Sequence, residues 1–64
     1  MYFDLKIEIL KKFSTQSDFA MALREHESKI SAVIRGRRKL TPEQAQRWQE
    51  VLNCDPEILA TVTQ

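Results

Sequence analysis

Hydrophobic residues recur at helical intervals along the whole chain, and one segment fits a strand as well. In YFDLKIEILKKF, residues 2–13, Phe3, Leu5, Ile7 and Ile9 alternate with Asp4, Lys6 and Glu8, as in a strand with one buried face. Leu5, Ile9 and Phe13 also form an i, i+4, i+8 helical stripe, which Ile7 and Leu10 widen. No second alternating run exists to pair with a strand, so a helix is expected. Asp4 is its capping candidate, and Lys11 and Lys12 suit its negative C-terminal end. Phe19, Ala20 and Leu23 mark a second helix. Thr15 and Asp18, at capping-box spacing with Asp in place of the usual Glu or Gln, start it at Gln16, and it runs to about Arg24. Ile30, Val33 and Ile34 mark a third, from His26 or Glu27 to about Arg35. Thr41, Pro42 and Gln44 open a fourth as cap, first-turn proline and closing glutamine of a capping box. Its inward stripe is Ala45, Trp48 and Leu52, and Asn53 ends it. Asp55 and Pro56 open a fifth helix, with Ile58, Leu59 and Val62 on its face. Residues 60–64 are expected to fray.

The polar side of the third helix changes the picture. At 100° per residue, the surface opposite Ile30, Val33 and Ile34 carries Ser28, Ala32 and Arg35, with Lys29 and Ser31 flanking. A small, uncharged strip edged with cations can approach another molecule closely. Arg35, Arg37, Arg38 and Lys39 then follow within five residues, broken only by Gly36, the one glycine of the chain. The net charge of +1 conceals this concentration. Residues 1–28 sum to −1, residues 29–39 to +5 and residues 40–64 to −3. Two short helices, a tight turn and a cationic loop together suggest a helix-turn-helix that reads DNA.

Composition limits the alternatives. Sixty-four residues make one domain, 1–64, and one glycine with two prolines favours an all-α architecture. Cys54 stands alone, which excludes an intramolecular disulfide and a cysteine-rich zinc site, and it reads as an inert thiol. His26 is the only histidine, without partners for a metal site or for general-base chemistry. There is no glycine-rich phosphate loop, so no enzyme, cofactor, metal or small-molecule ligand is expected. Trp48 lies on an inward stripe and reads as a core anchor rather than a base-stacking platform. No signal-peptide pattern and no membrane-length apolar run occurs, so the cytoplasm is the expected location, with no membrane partner.

The segments TQSDFAMAL, ESKISAVIRGRR and LTPEQ, in this order and spacing, resemble the XRE-type (lambda-repressor-like) helix-turn-helix family. Similar members carry a Thr-Gln helix start, an alanine four residues after the Gln, a Glu-Ser-x-x-Ser recognition helix and a Gly-x-Arg loop. The likeness spans roughly residues 13–60 without a gap. It implies a compact five-helix domain whose helix-turn-helix unit lies at about 16–35, with the third helix in the major groove of double-stranded DNA. The expected function is sequence-specific binding as a small transcriptional regulator of phage, prophage or bacterial type. Glu27, Ser28 and Ala32 match the family's base-reading positions, with Lys29 nearby, while Gln16, Arg35, Arg37, Arg38 and Lys39 are phosphate-binding candidates. Glu27 also has a structural reading, as a first-turn anion stabilising its helix through the dipole. The family often places Gly and then an apolar residue in the inter-helix turn. This chain has Arg24 and Glu25 there, which predicts a second helix a residue or two longer.

One recognition helix reads few base pairs, so a weak homodimer on an approximately palindromic operator is expected. Val51, Ile58, Leu59 and Val62 are its candidate surface, as apolar residues beyond what a small core absorbs. The alternative is an antitoxin-like or adaptor module whose main partner is a protein, with DNA binding secondary or absent.

Overall fold

Side-chain caps and left-handed turns divide the chain into five helices in the computed structural model, which describes residues 1–64. They are α1 (Phe3–Lys12), α2 (Gln16–Leu23), α3 (Glu27–Ile34), α4 (Pro42–Leu52) and α5 (Pro56–Ala60). The ambiguous first segment is helical. It begins two residues earlier than an Asp4 cap requires: Tyr2 is the N-cap, and Asp4 sits in the first turn as a dipole-compensating anion. Thr15 Oγ1 accepts from the Asp18 amide at 3.2 Å, but Asp18 does not reach back, so α2 has half a capping box. At α4 the box is complete: Thr41 Oγ1 accepts from the Gln44 amide at 3.2 Å, and Gln44 Oε1 from the Thr41 amide at 3.0 Å. Asp55 Oδ1 accepts from the Glu57 amide at 3.0 Å to start α5.

The turn between α2 and α3 corrects the expectation of a longer second helix. The helix stops at Leu23, and Arg24 adopts φ 58°, ψ 41°, in the left-handed region. The Arg24 amide donates to Met21 O and the Glu25 amide to Ala20 O, the paired bonds of a Schellman stop. Glycine is the usual occupant of such a position; these tertiary and local bonds hold an arginine there instead. Arg47 of α4 adds to the stop, its Nη2 donating to Leu23 O at 2.9 Å and placing a cation at the negative end of α2.

Fourteen apolar residues form the buried core, and no buried side-chain nitrogen or oxygen lacks a partner. Leu5 and Ile9 come from α1, Phe19, Ala20 and Leu23 from α2, Ile30, Val33 and Ile34 from α3, and Trp48 and Leu52 from α4. Phe19 meets Trp48 edge to face at 5.1 Å and Phe13 at 5.3 Å, so three aromatic rings join the end of α1 to α2 and α4. The lone thiol of Cys54 is buried beside Leu52, and its pKa is raised, first by burial and then by Glu8.

The C-terminal residues do not fray. The Leu40 amide donates to Val62 O at 2.7 Å and the Gln64 amide to Leu40 O at 2.9 Å, a parallel bridge between Leu40 and Thr63. That bridge folds the tail inward and explains a second correction. Leu59 is 3% exposed and Val62 1%, so both belong to the core and are not free to pair with another molecule. Val51 and Ile58 are half-buried against the same core.

A non-glycine residue in the left-handed region costs about 1–2 kcal/mol, partly offset by the chain entropy that glycine loses on folding. Arg24→Gly is therefore expected to stabilise the protein by about 0.5–1 kcal/mol, raising Tm by a few degrees. Arg24→Ala is not expected to, and thermal unfolding of the two variants measures the difference.

Candidate nucleic-acid interface

α2 and α3 are fixed to each other at two points along one seam. Ser17 Oγ, in the first turn of α2, donates to Glu27 Oε2 at 2.5 Å at the start of α3. Ser31 Oγ, one turn further along α3, donates to Gln16 Oε1 at 3.0 Å. Glu27 and Ser31 are four residues apart and share a flank of α3, so the bonds are stacked. Beside this seam Ser28 is exposed and Ala32 half-buried, continuing to exposed Arg35. Gln16 thereby keeps its amide NH2 group available at the N-terminus of α2, where backbone N–H groups and the helix dipole favour an anion.

The loop after α3 has its own stop. Gly36 has φ 80°, its amide donates to Val33 O, and the Arg37 amide donates to Ala32 O. A Cβ on Gly36 would lie 3.4 Å from the Tyr2 ring, an ordinary contact, so the positive φ is what calls for glycine here. The Tyr2 amide donates to Ile34 O at 2.7 Å, tying the start of α1 to the end of the same helix. Arg35, Arg37, Arg38 and Lys39 all emerge exposed from this anchored segment. None has a carboxylate partner, because the two ion pairs of the molecule are Lys11–Glu8 and Lys29–Glu25. Unpaired cations on a fixed loop beside a small-polar helix face can hold phosphate oxygens without first losing an intramolecular partner.

Gln16, Glu27, Ser28, Ala32 and Arg35 lie on or beside this face, and Arg37, Arg38 and Lys39 follow as exposed residues of the loop that leaves it. Lys29 is the exception. It lies on the far flank of α3, its side chain is 13% exposed, and its ammonium is 3.2 Å from Glu25 in the inter-helix turn. Ser17 and Ser31 were missed as seam residues. The i, i+4 spacing of Glu27 and Ser31 was a signal for them, but their partners on α2 become neighbours only through the turn. Lys6 was also missed. It lines a small cleft with Gln16, Ser31 and Arg35, placed there by the packing of α1 on both helices.

A helix-turn-helix family model matches residues 5–59, which contain α2, α3 and the loop that follows α3. The chain belongs to the XRE-type, lambda-repressor-like helix-turn-helix family. No curated protein and no solved structure is significantly similar to it. Family membership makes this helix-turn-helix protein a DNA-binding regulator in outline. No helix is long and apolar enough to cross a membrane.

Removing the Ser31 hydroxyl should free the Gln16 amide to rotate. A hydrogen bond of this kind contributes about 0.5–1.5 kcal/mol net. Ser31→Ala is expected to weaken duplex DNA binding about two- to tenfold, with a Tm change of a few degrees at most. Fluorescence anisotropy and thermal unfolding check the two halves, and unchanged binding would show that the seam does not position Gln16 for DNA.

Proposed function

We propose that this protein is a small transcriptional regulator that lays α3 in the major groove and represses by occupying an operator, as phage and prophage switch proteins do. The observation that carries the reading is the set of four unpaired, exposed cations at Arg35, Arg37, Arg38 and Lys39, directly following the small-polar face of α3. Ser28 and Ala32 contact base edges in this reading. Ala32 offers its methyl to a thymine methyl or leaves room for close approach, and Glu27 accepts from a cytosine amino group when it exchanges Ser17 for a base. Gln16 and the loop cations hold phosphates and set the register. Lys29 supports the turn rather than the bases. Two copies bind an approximately palindromic site, with recognition helices about 34–36 Å apart and half-sites about 10 base pairs centre to centre.

A second reading, an antitoxin-like or adaptor module, draws on the exposed apolar side chains of α1, Phe3, Ile7 and Leu10. Retention on random duplex DNA separates the two: the regulator is held strongly and released by salt, the adaptor hardly at all.

Two variants test the division of labour. Arg37→Ala with Arg38→Ala should lower the log–log salt slope of DNA binding by about 1.8, weakening all sequences alike and leaving preference intact. An unchanged slope would remove the loop from the interface. Ala32→Gln should change which base pair is preferred in a selection from random duplexes. Wild-type preference retained in both Ala32→Gln and Ser28→Ala would mean that α3 is not the reader.

A further inference from the structure

α1 buries one side and leaves the other without a partner. Leu5 and Ile9 are fully buried, while Phe3 is 63% exposed, Ile7 51% and Leu10 43%. These three are spaced by four and then three residues, so they form one apolar stripe on the outer face of the helix. Together they expose on the order of 300 Å², the size of the largest apolar patch on an ordinary monomer. On one flank of the stripe lie Asp4 and Lys11, seven residues apart; on the other lies Lys6. Asp4 has no cationic partner in its own chain. It opens onto a groove, shared with the start of α5, that Phe3, Asp55, Glu57 and Ile58 also line. The N-terminal end of the stripe thus presents an unpaired acid. The C-terminal end presents Lys11, whose side chain is 66% exposed and pairs only across the surface with Glu8 at 3.5 Å, a contact that contributes little in water.

A face with an acidic and a basic end is complementary to its own reversed copy. We propose that α1 pairs with α1 of a second copy in antiparallel orientation about a two-fold axis near Ile7. This assignment rests on the two-copy reading above and gives it a surface. Phe3 then meets Leu10 of the second copy, and Ile7 meets its equivalent. Lys11 of each copy approaches Asp4 and the acidic groove of the other, so two-fold symmetry makes every favourable charge contact twice. The occupant is a second copy because one partner surface supplies both the apolar stripe and the reversed order of charges. Ile58, half-buried in the groove, is the member of the expected α5 surface that adjoins this pairing.

The geometry also leaves the reading faces free. A two-fold axis perpendicular to α1 keeps the Lys6 flanks of both copies on the same side. Lys6 lines the cleft with Gln16, Ser31 and Arg35, so the two candidate interfaces point in one direction, towards one duplex. The apolar area joined is roughly 600 Å² for the pair, below the 1,200–2,000 Å² of stable interfaces. The pair is accordingly weak in free solution, and a shared duplex consolidates it.

Charge reversal tests this directly. Ile7→Asp, Asp4→Lys and Lys11→Asp all change exposed positions, and circular dichroism establishes that each variant remains folded. Sedimentation equilibrium up to millimolar protein, and copy number on a duplex selected from a random pool, give the readouts. Ile7→Asp should weaken self-association at least tenfold. Asp4→Lys and Lys11→Asp should each weaken it several-fold, while an equimolar mixture of the two should associate as tightly as wild type, because only the mixed pair restores opposite charges at both contacts. A mixture no tighter than either variant alone, or an Ile7→Asp protein that pairs as wild type does, would overturn the α1 surface. If wild type and Ile7→Asp both place two copies on an inverted site with equal cooperativity, the pairing surface is elsewhere and the two-copy reading stands. One wild-type copy on a site without inverted symmetry would overturn both.

Discussion

Phe19 and Trp48 meet edge to face at 5.1 Å, and this contact joins the helix-turn-helix to the helices that carry it. Phe19 is the first buried residue of α2, and Trp48 is the centre of the inward stripe of α4. In a chain of this length, where total stability is only about 5 kcal/mol or a little more, truncating either ring would cost about 3–5 kcal/mol. Phe13 extends the contact to the end of α1. With α2 held in this way, Arg47 of α4 reaches the last carbonyl of α2, Leu23 O, and helps fix the direction in which the chain leaves for α3.

The consequences run outward from that packing. A fixed exit from α2 brings Glu27 to Ser17 and Ser31 to Gln16, so the two helices turn as one body. The small-polar strip of α3 is then presented at a set angle to the first turn of α2. At the other end of α3, Gly36 and the Tyr2 amide terminate the helix, so the loop cations leave from a defined point. Burial of apolar side chains supplies the stability, a few polar bonds supply the orientation, and unpaired charge is left for the partner.

Much of this was legible in the sequence, because helix periodicity and caps are local. The apolar stripes of the last four helices, the Thr41–Gln44 box and the Asp55–Pro56 start can be read from residues a few positions apart. The strip of Ser28, Ala32 and Arg35 follows from the same period, as does the loop charge from simple counting. What was not legible depends on contacts between distant residues. Arg24 departs from glycine at a left-handed position, and only Arg47 from α4, with the bonds at the turn, shows why the helix still stops there. Leu59 and Val62 read as spare apolar residues until the tail pairs with Leu40. Lys29 counts as one of five cations in the sequence, yet Glu25 holds it in the turn. The outer face of α1 was hidden for the opposite reason: Ile7 and Leu10 extend a stripe that reads as core, but the small core is filled without them.

In the proposed reading one surface, formed by the start of α2, the outer strip of α3 and the following loop, engages duplex DNA. Amide chemical-shift mapping of isotopically labelled protein during titration with a random-sequence duplex tests it most directly. The largest shifts are expected at Gln16–Asp18, Glu27–Arg35 and Gly36–Lys39, and they should diminish together as salt is raised. Shifts concentrated on α4 and α5, with those three segments unmoved, would contradict it.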